Sequence, residues 1–418
     1  MLHVGRIALC AGEVLAAHSI SPSMGAKLAA HRAQDLGPSF VKMGQFASTR
    51  ADVLSEHYCR EFAKLRDDTR RDSAADIRNA VVKSLGIESI ESVFSEFDDE
   101  PIASASVAQV HRARLAKNDQ VVAVKVLKKG IREAVEADLA VAHTVASMLP
   151  KDAAVDQFNR MLSQYSDLLR RETDFVSEAR SGLSAKRTLA RALGNEVIVP
   201  KPLISREGVI VMEHVPSVPL KESRDLPRVT GLVMEAIMVL ITSGEWFHQD
   251  PHEGNLGIVR DSRGNERLVI YDFGNVSRLA PDTLDGLMET TVAFLQKDKK
   301  AIAKSLIDND LVQAKDSGLI ALDTMIDQGL EYVRTMNIQS FDASSIDRES
   351  AHSLDVSPEI NNVMRAVIMA EGVCKSVHKD FELEASIDQF IAVHGVDIVS
   401  RKASRDVENV LRSFGLFD

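Results

Sequence analysis

Two short polar stretches constrain this chain more than any other feature: His248-Gln249-Asp250-Pro251-His252-Glu253-Gly254-Asn255 and, further on, Asp272-Phe273-Gly274. Asp250 and Asn255 stand five positions apart, between a predicted helix over Leu226 to Ser243 and short strands over Leu256 to Arg260 and Leu268 to Tyr271. Gly244 suits the C-terminal cap of that helix. Arg263-Gly264-Asn265 is a turn-forming cluster that joins the two strands as a hairpin. Asp272 then falls at the end of the second strand, so the fold must deliver both polar stretches from rigid elements.

The rest of the pattern is helices first, then strands with a helix pair, then a mostly helical half. Val4, Ile7, Ala8, Ala11 and Leu15 share one helical face, which is expected to meet the protein's own core rather than a membrane. Phe40 to Leu65 continues in helical period. After Glu100-Pro101, the β-branched runs Val107 to Leu115 and Val121 to Leu127 flank the turn Lys117-Asn118-Asp119-Gln120, which predicts a hairpin. Ile131 to Met148 and Val155 to Leu183 read as helices broken at Leu149-Pro150-Lys151-Asp152. Strand candidates follow at Glu196 to Val199, Leu203 to Ser205 and Val209 to Glu213, and then a connector over His214 to Leu220 holding Pro216 and Pro219. Ser357 and Pro358 form a helix start, with Ile360, Val363, Met364, Val367 and Ile368 on one face.

This order places chemistry-bearing side chains on turns and strand ends. An Asp with an Asn five residues on, then Asp-Phe-Gly, supplies oxygen ligands for Mg²⁺ and a carboxylate beside an attacking oxygen, the set that phosphoryl transfer from ATP requires. Lys125, in Val122-Ala123-Val124-Lys125, is a cation among apolar strand neighbours, placed to meet phosphates. Upstream, Ala103-Ser104-Ala105-Ser106-Val107-Ala108 is a small-residue loop with alanines where a phosphate loop has glycines. Glu172, Asp174 and Glu178 are read as one acidic helix. Glu172 and Glu178 are six apart and so point in different directions, and Glu178 is the candidate partner of Lys125. Gly44, in Lys42-Met43-Gly44-Gln45, costs about 1 kcal/mol relative to alanine in a helix and signals a close approach.

Taken together, these residues resemble the UbiB-type atypical kinase family, kinase-like proteins linked to ubiquinone and other isoprenoid-lipid metabolism. The marks are Lys42-x-Gly44-Gln45, the alanine loop, Glu172-x-Asp174 with Glu178, the loop from His248 to Asn255, Asp272-Phe273-Gly274, and Arg365-Ala366 through Glu371-Gly372. The resemblance implies an α+β, two-lobed protein-kinase-like fold. A helical extension (1–99) would carry the Lys-x-Gly-Gln motif, followed by an N-lobe with an inserted helix pair (100–214) and a helical C-lobe (215–418). It implies Lys125, Glu178 and Asp250 as catalytic residues and Asn255 and Asp272 as Mg²⁺ ligands. ATP contacts would come from Ala103, Ser104, Ala105, Ser106, Ala108, Lys125 and Glu213. Lys42 and Gln45 would lie near Glu172 and Asp174 as a regulatory element across the active site, closing it to protein substrates. Gln249, Glu253 and Ser217 depart from the pattern, where Ala, Pro and Gly are common.

The expected activity is therefore that of a Mg²⁺-dependent atypical kinase or ATPase acting on ATP and a small or lipid-linked acceptor, with lipid-biosynthesis proteins as partners. Two other readings stand beside it: a nucleotide-gated scaffold without productive transfer, and a phosphotransferase of the aminoglycoside or choline kinase type. The charge balance, 61 acidic against 50 basic residues and a net charge of −11, disfavours nucleic acid and anionic lipid as broad partners. Three scattered cysteines point to a reducing compartment. No run approaches the roughly 18 apolar residues of a membrane span, so a cytoplasmic or at most peripheral protein is expected, an organelle being compatible.

Overall fold

In a computed structural model of the chain, the strand pattern around Lys125 becomes the centre of a six-stranded sheet. Residues 2–48, 54–65, 71–105, 107–147, 153–314, 316–335 and 354–413 are described. The chain divides into two units, Met1–Arg180 with Lys201–His214, and Ser181–Pro200 with Val215–Asp418.

The first unit opens with α1 (Leu2–Ile20), α2 (Pro22–Leu36), α3 (Pro38–Ser48), α4 (Glu56–Phe62) and α5 (Ala74–Leu85). Strands β1 (Phe94–Phe97), β2 (Ala103–Ser104), β3 (Ala108–Leu115) and β4 (Val121–Leu127) follow, then α6 (Ile131–Ser147), α7 (Ala153–Glu172) and α8 (Phe175–Leu193). After β5 (Val197–Ile198), which belongs to the second unit, β6 (Pro202–Arg206) and β7 (Val209–Glu213) complete the sheet. Its order is β1-β3-β4-β7-β6 with β2 on β3, and every pairing is antiparallel. Alternation sorts its faces. Val122, Val124 and Val126 pack with Val209, Val211 and the α5 residues Ile77 and Val81, while Leu127 and Ile210 meet Phe175 and Ala179 of α8 on the other face.

Because β1 lies in this sheet and α5 covers it, residues before 100 do not form a separate extension: Phe94, Ile77 and Val81 belong to the same core as β4. The N-terminal helices build a core of their own, in which Ile7 packs with Phe40, Val41 and Leu65. Leu9, Leu15 and Ile20 on α1 are exposed, so only part of that helix turns inward. On α3, a Cβ at Gly44 would fall 2.4 Å from Leu65 Cδ1, the close approach that a glycine there signals. The expected break at 149–152 lies outside the described residues, as does Ser106.

The acidic stretch is two helices rather than one. The chain leaves α7 after Glu172, the Thr173 hydroxyl turns back to the Arg170 carbonyl at 3.0 Å, and Asp174 Oδ1 accepts the Ser177 N–H at 3.0 Å to start α8. Short polar side chains that satisfy the backbone locally compete with helix continuation, which is why the break falls at Thr173-Asp174.

The second unit is built on α9 (Leu226–Thr242), capped by Asp225, with ten buried residues and an apolar surface almost all round. Around it lie β8 (Phe247–His248), β9 (Leu256–Arg260), β10 (Glu266–Ile270), β11 (Val276–Ser277), α10 (Pro281–Leu295), α11 (Lys299–Asp308), β12 (Val312–Ala314), α12 (Asp316–Thr335) and β13 (Leu354–Val356). The chain continues through α13 (Pro358–Val377), whose cap Ser357 accepts the Ile360 N–H, and α14 (Leu383–Ser413). β10 pairs antiparallel with β9 and parallel with β5, β8 pairs with β11, and β12 with β13. Among the described residues, no helix is long and apolar enough to cross a membrane.

Candidate active site

Each unit carries part of the predicted constellation. In the first, Lys125 on β4 and Glu178 on the first turns of α8 meet at 2.6 Å between Nζ and Oε1. Both side chains are nearly buried, 12% and 6% exposed, and the ammonium lies 5.1 Å from the centre of the Phe175 ring. Burying two charges costs several kcal/mol per ion unless geometry and hydrogen bonds offset it, so this pair is held for a reason other than stability alone. Phe175, absent from the sequence-based site, is the apolar wall that desolvates it. Its signal was an aromatic residue just after the α8 cap and three positions before Glu178.

The alanine stretch forms the turn joining β2 to β3: Ala103 faces Val110, Ser104 faces Gln109, and the Ala105 N–H donates to the Ala108 carbonyl at 2.9 Å. Ala103 and Ala105 are exposed, whereas Ala108 is buried against the α8 residues Phe175 and Ala179. Glu213, at the end of β7, accepts the Lys201 N–H through its carboxylate at 2.9 Å, so that side chain fixes the entry to β6.

The Lys42 helix sits against the α6–α7 pair. Met43 and Phe46 pack with Leu162, Tyr165 and Leu169, and Lys42 Nζ reaches Glu172 Oε2 at 2.7 Å. Gln45 donates instead to the Leu65 carbonyl at 3.2 Å, and Asp174 is occupied in capping α8. Of the four residues expected to cluster there, the structure pairs Lys42 with Glu172 and gives Gln45 and Asp174 local backbone roles.

In the second unit, backbone bonds bind the two polar stretches together. The Gln249 N–H donates to the Asn275 carbonyl at 3.0 Å, the Tyr271 N–H to the Asn255 carbonyl at 2.9 Å, and β8 pairs with β11 through His248 and Val276. At the centre is His248, fully buried, which sequence reasoning placed in the motif without a role. The Asp250 N–H donates to its Nδ1 at 3.0 Å, which makes Nε2 the protonated nitrogen. Nε2 lies 3.4 Å from the Asn255 carboxamide nitrogen, and the Asp272 backbone is near enough to favour the charged ring. Burial pushes this imidazole down to about 4, against the pull of Asp272 and Asp250, so at neutral pH it is an uncharged clamp touching all three candidate residues. Asp272 Oδ1 also accepts the Gly274 N–H at 2.7 Å, and Phe273 is buried in the main core, close to Gly182 of α8.

The donor set suits a hard cation. Asp272 and Asp250 can offer carboxylate oxygens and Asn255 its carboxamide oxygen. Among the described residues no group of three or more His, Cys, Asp or Glu side chains is placed to hold a metal ion. Glu253 is turned away, exposed and hydrogen-bonded by the Ser376 hydroxyl. Ser217 accepts the Tyr271 hydroxyl at 2.6 Å, tying the connector to the residue before Asp272.

Residues 64–306 match the ABC1 atypical kinase-like domain. The probable protein kinase UbiB of Marinobacter nauticus is 27% identical over 385 residues, covering 86% of this chain and 68% of that protein. An aarF domain-containing protein kinase of Arabidopsis thaliana, chloroplastic and itself uncharacterised, is 28% identical over 390 residues, 92% of this chain and 55% of its own length. The chloroplastic protein ACTIVITY OF BC1 COMPLEX KINASE 8 from the same plant is 31% identical over 288 residues, 65% of this chain and 37% of its own length. The chain thus spans between 37% and 68% of these relatives. Among solved structures, Rv3197 of Mycobacterium tuberculosis, determined with erythromycin, is similar in fold, with a TM-score of 0.59 at 22% identity over 84% of this chain and 90% of that one.

Proposed function

We propose that this chain, which belongs to the ABC1 atypical kinase-like family, binds Mg-ATP and either hydrolyses it or transfers its terminal phosphate to a small or lipid-linked acceptor. The observation that carries this reading is the Lys125–Glu178 pair, a desolvated lysine fixed by a carboxylate 53 residues away in sequence. Such a lysine is what nucleotide phosphates need and what a stable core does not.

In this reading Glu178 orients Lys125 toward phosphate oxygens, and the small, exposed side chains of Ala103 and Ala105 leave room for them to approach. Asn255 and Asp272 would hold Mg²⁺, which when bound neutralises charge on the phosphates. Asp250 accepts the proton of the attacking hydroxyl or water, and His248 holds all three in register without changing its own charge. The Lys42–Glu172 pair anchors the N-terminal helix to α7, which supports a regulatory role for that helix. The setting proposed is isoprenoid-quinone or related lipid metabolism, as the resemblance to the UbiB-type family implies, with the phosphate acceptor drawn from lipid or quinone precursors.

Calorimetry on the purified chain tests it. Wild type is expected to bind Mg-ATP and Asp272→Asn to bind it at least tenfold more weakly, while metal-free ATP binds both alike. Equal Mg-ATP affinity in the two proteins would remove Asp272 from the metal site.

A further inference from the structure

Tyr271 stands between the end of β10 and Asp272, and its hydrogen bonds run in opposite senses along the fold. Its backbone N–H donates to the Asn255 carbonyl at 2.9 Å. Its hydroxyl reaches the connector, lying 2.8 Å from the Val215 carbonyl oxygen and 2.6 Å from Ser217 Oγ. A half-buried phenol needs a polar partner in any fold, so these contacts carry meaning only through where they lead.

They close a ring. From Ser217 the chain passes to Val218, which exchanges backbone bonds with Ile258 of β9 at 3.0 and 2.8 Å. Strand β9 begins at Leu256, directly after Asn255, and Asn255 accepts the Tyr271 N–H. The Tyr271 side chain then returns to the connector. Asn255 lies in this ring and Asp272 is attached to it, with Phe273, 1% exposed, anchoring the far side of Asp272 in the core. Burial pushes the phenol above its ordinary value of 10, against the Ser217 bond, so the hydroxyl keeps its proton. Neither polar group is needed to fill space. Phenylalanine would occupy the Tyr271 place without requiring a partner, and Ser217 stands where glycine is common in the resembled family.

We infer that Tyr271 is a positioning residue for the metal end of this site, its hydroxyl fixing the spacing of Asn255 and Asp272 by tying them to the connector. The inference deepens the Mg-ATP reading above and rests on it for the identity of the ligand. Without the hydroxyl the ring opens at the point where the connector meets the residue before Asp272.

Two measurements on the full chain test it with Tyr271→Phe. The first, amide hydrogen exchange, needs no ligand. The Tyr271 N–H, held by Asn255, and the Gly274 N–H, held by Asp272 Oδ1 at 2.7 Å, are expected to exchange at least about tenfold faster in the variant. The Leu268 N–H on β10, bonded to the Glu196 carbonyl, is expected to keep its wild-type rate. Equal acceleration of all three amides is a general loss of stability and overturns the inference, as does an unchanged rate at Tyr271 and Gly274.

The second is calorimetry of ATP binding against Mg²⁺ concentration. Tyr271→Phe is expected to raise the Mg²⁺ requirement about tenfold while metal-free ATP binds as in wild type. Thr290→Val deletes a buried hydroxyl that bonds the Gly286 carbonyl at 2.8 Å, and is expected to cost stability without moving the Mg²⁺ requirement. Ser217→Ala is expected to raise the requirement less than Tyr271→Phe and to add nothing in that background, since both act through one contact. A wild-type Mg²⁺ requirement in Tyr271→Phe overturns the inference. Absence of Mg-ATP binding in wild type removes the nucleotide reading instead, and the exchange rates then decide by themselves whether Tyr271 fixes the two loops.

Discussion

Lys125 and Glu178 hold each other at 2.6 Å beside a core cluster that is otherwise apolar: Val107, Ala108, Leu127, Phe175, Ala179 and Ile210. Removing one partner strands the other. Lys125→Met leaves the Glu178 carboxylate buried and is expected to lower unfolding free energy by about 3–5 kcal/mol in urea titrations. Lys125→Met with Glu178→Leu should recover most of that loss while ATP affinity stays low, which separates the pair's contribution to stability from its role toward nucleotide.

His248 accepts the Asp250 N–H and meets the Asn255 carboxamide with one buried ring beside Asp272. His248→Phe keeps a planar ring, slightly larger, and deletes the bond to Asp250 and the polar contact with Asn255, so the loop loses register. The Mg²⁺ concentration required for ATP binding is expected to rise about 10- to 100-fold, as when an outer-shell partner of a metal ligand is lost. Metal-free ATP should bind as before. An unchanged Mg²⁺ requirement would demote His248 to a packing residue.

Acid should destabilise the first unit through His111. This ring is buried, donates to the Asp98 carbonyl through Nδ1 at 2.9 Å, and lies 3.3 Å from the Gln109 amide at Nε2. Burial lowers its pKa below the usual 6.5, with the Asp98 carbonyl opposing the shift. In the unfolded chain the imidazole takes up a proton near 6.5 while the folded one resists it, so stability is full above that pH and falls as pH drops below it. His248, held at about 4, contributes with the same sign. His111→Gln is therefore expected to flatten part, not all, of the decline in thermal midpoint between pH 7 and pH 5.

What the sequence disclosed and what it hid follow from how local each signal is. The β3–β4 hairpin, the β9–β10 hairpin and the Ser357 cap were legible because turn residues and alternation lie within a few positions of each other. The break between Glu172 and Phe175 was not, since Thr173 and Asp174 interrupt the helix through hydrogen bonds rather than through a proline or glycine. The place of β1 in the sheet was hidden for a different reason: Phe94–Phe97 shows no long alternation, and its partner β3 begins eleven residues later. In the candidate site, Lys125, Glu178, Asp250, Asn255 and Asp272 stood out as polar residues at fixed spacings. His248 and Phe175 act through burial, which a linear pattern does not display.

The connector offers the last test, because its Ser217 stands where glycine is common in the resembled family. Ser217 accepts the Tyr271 hydroxyl at 2.6 Å and faces Gly257 on β9, where an added Cβ would fall 2.2 Å from Ser217 Oγ and 2.8 Å from its Cβ. Strand and connector are also joined by reciprocal backbone bonds between Val218 and Ile258, at 3.0 and 2.8 Å, so neither can move aside easily. Gly257→Ala forces an overlap in a packed interior and should cost about 1–3 kcal/mol by chemical denaturation. Ser217→Gly clears the space, so Gly257→Ala in that background should be close to neutral. If the double variant is as unstable as Gly257→Ala alone, the strain lies in the strand itself and not in the serine.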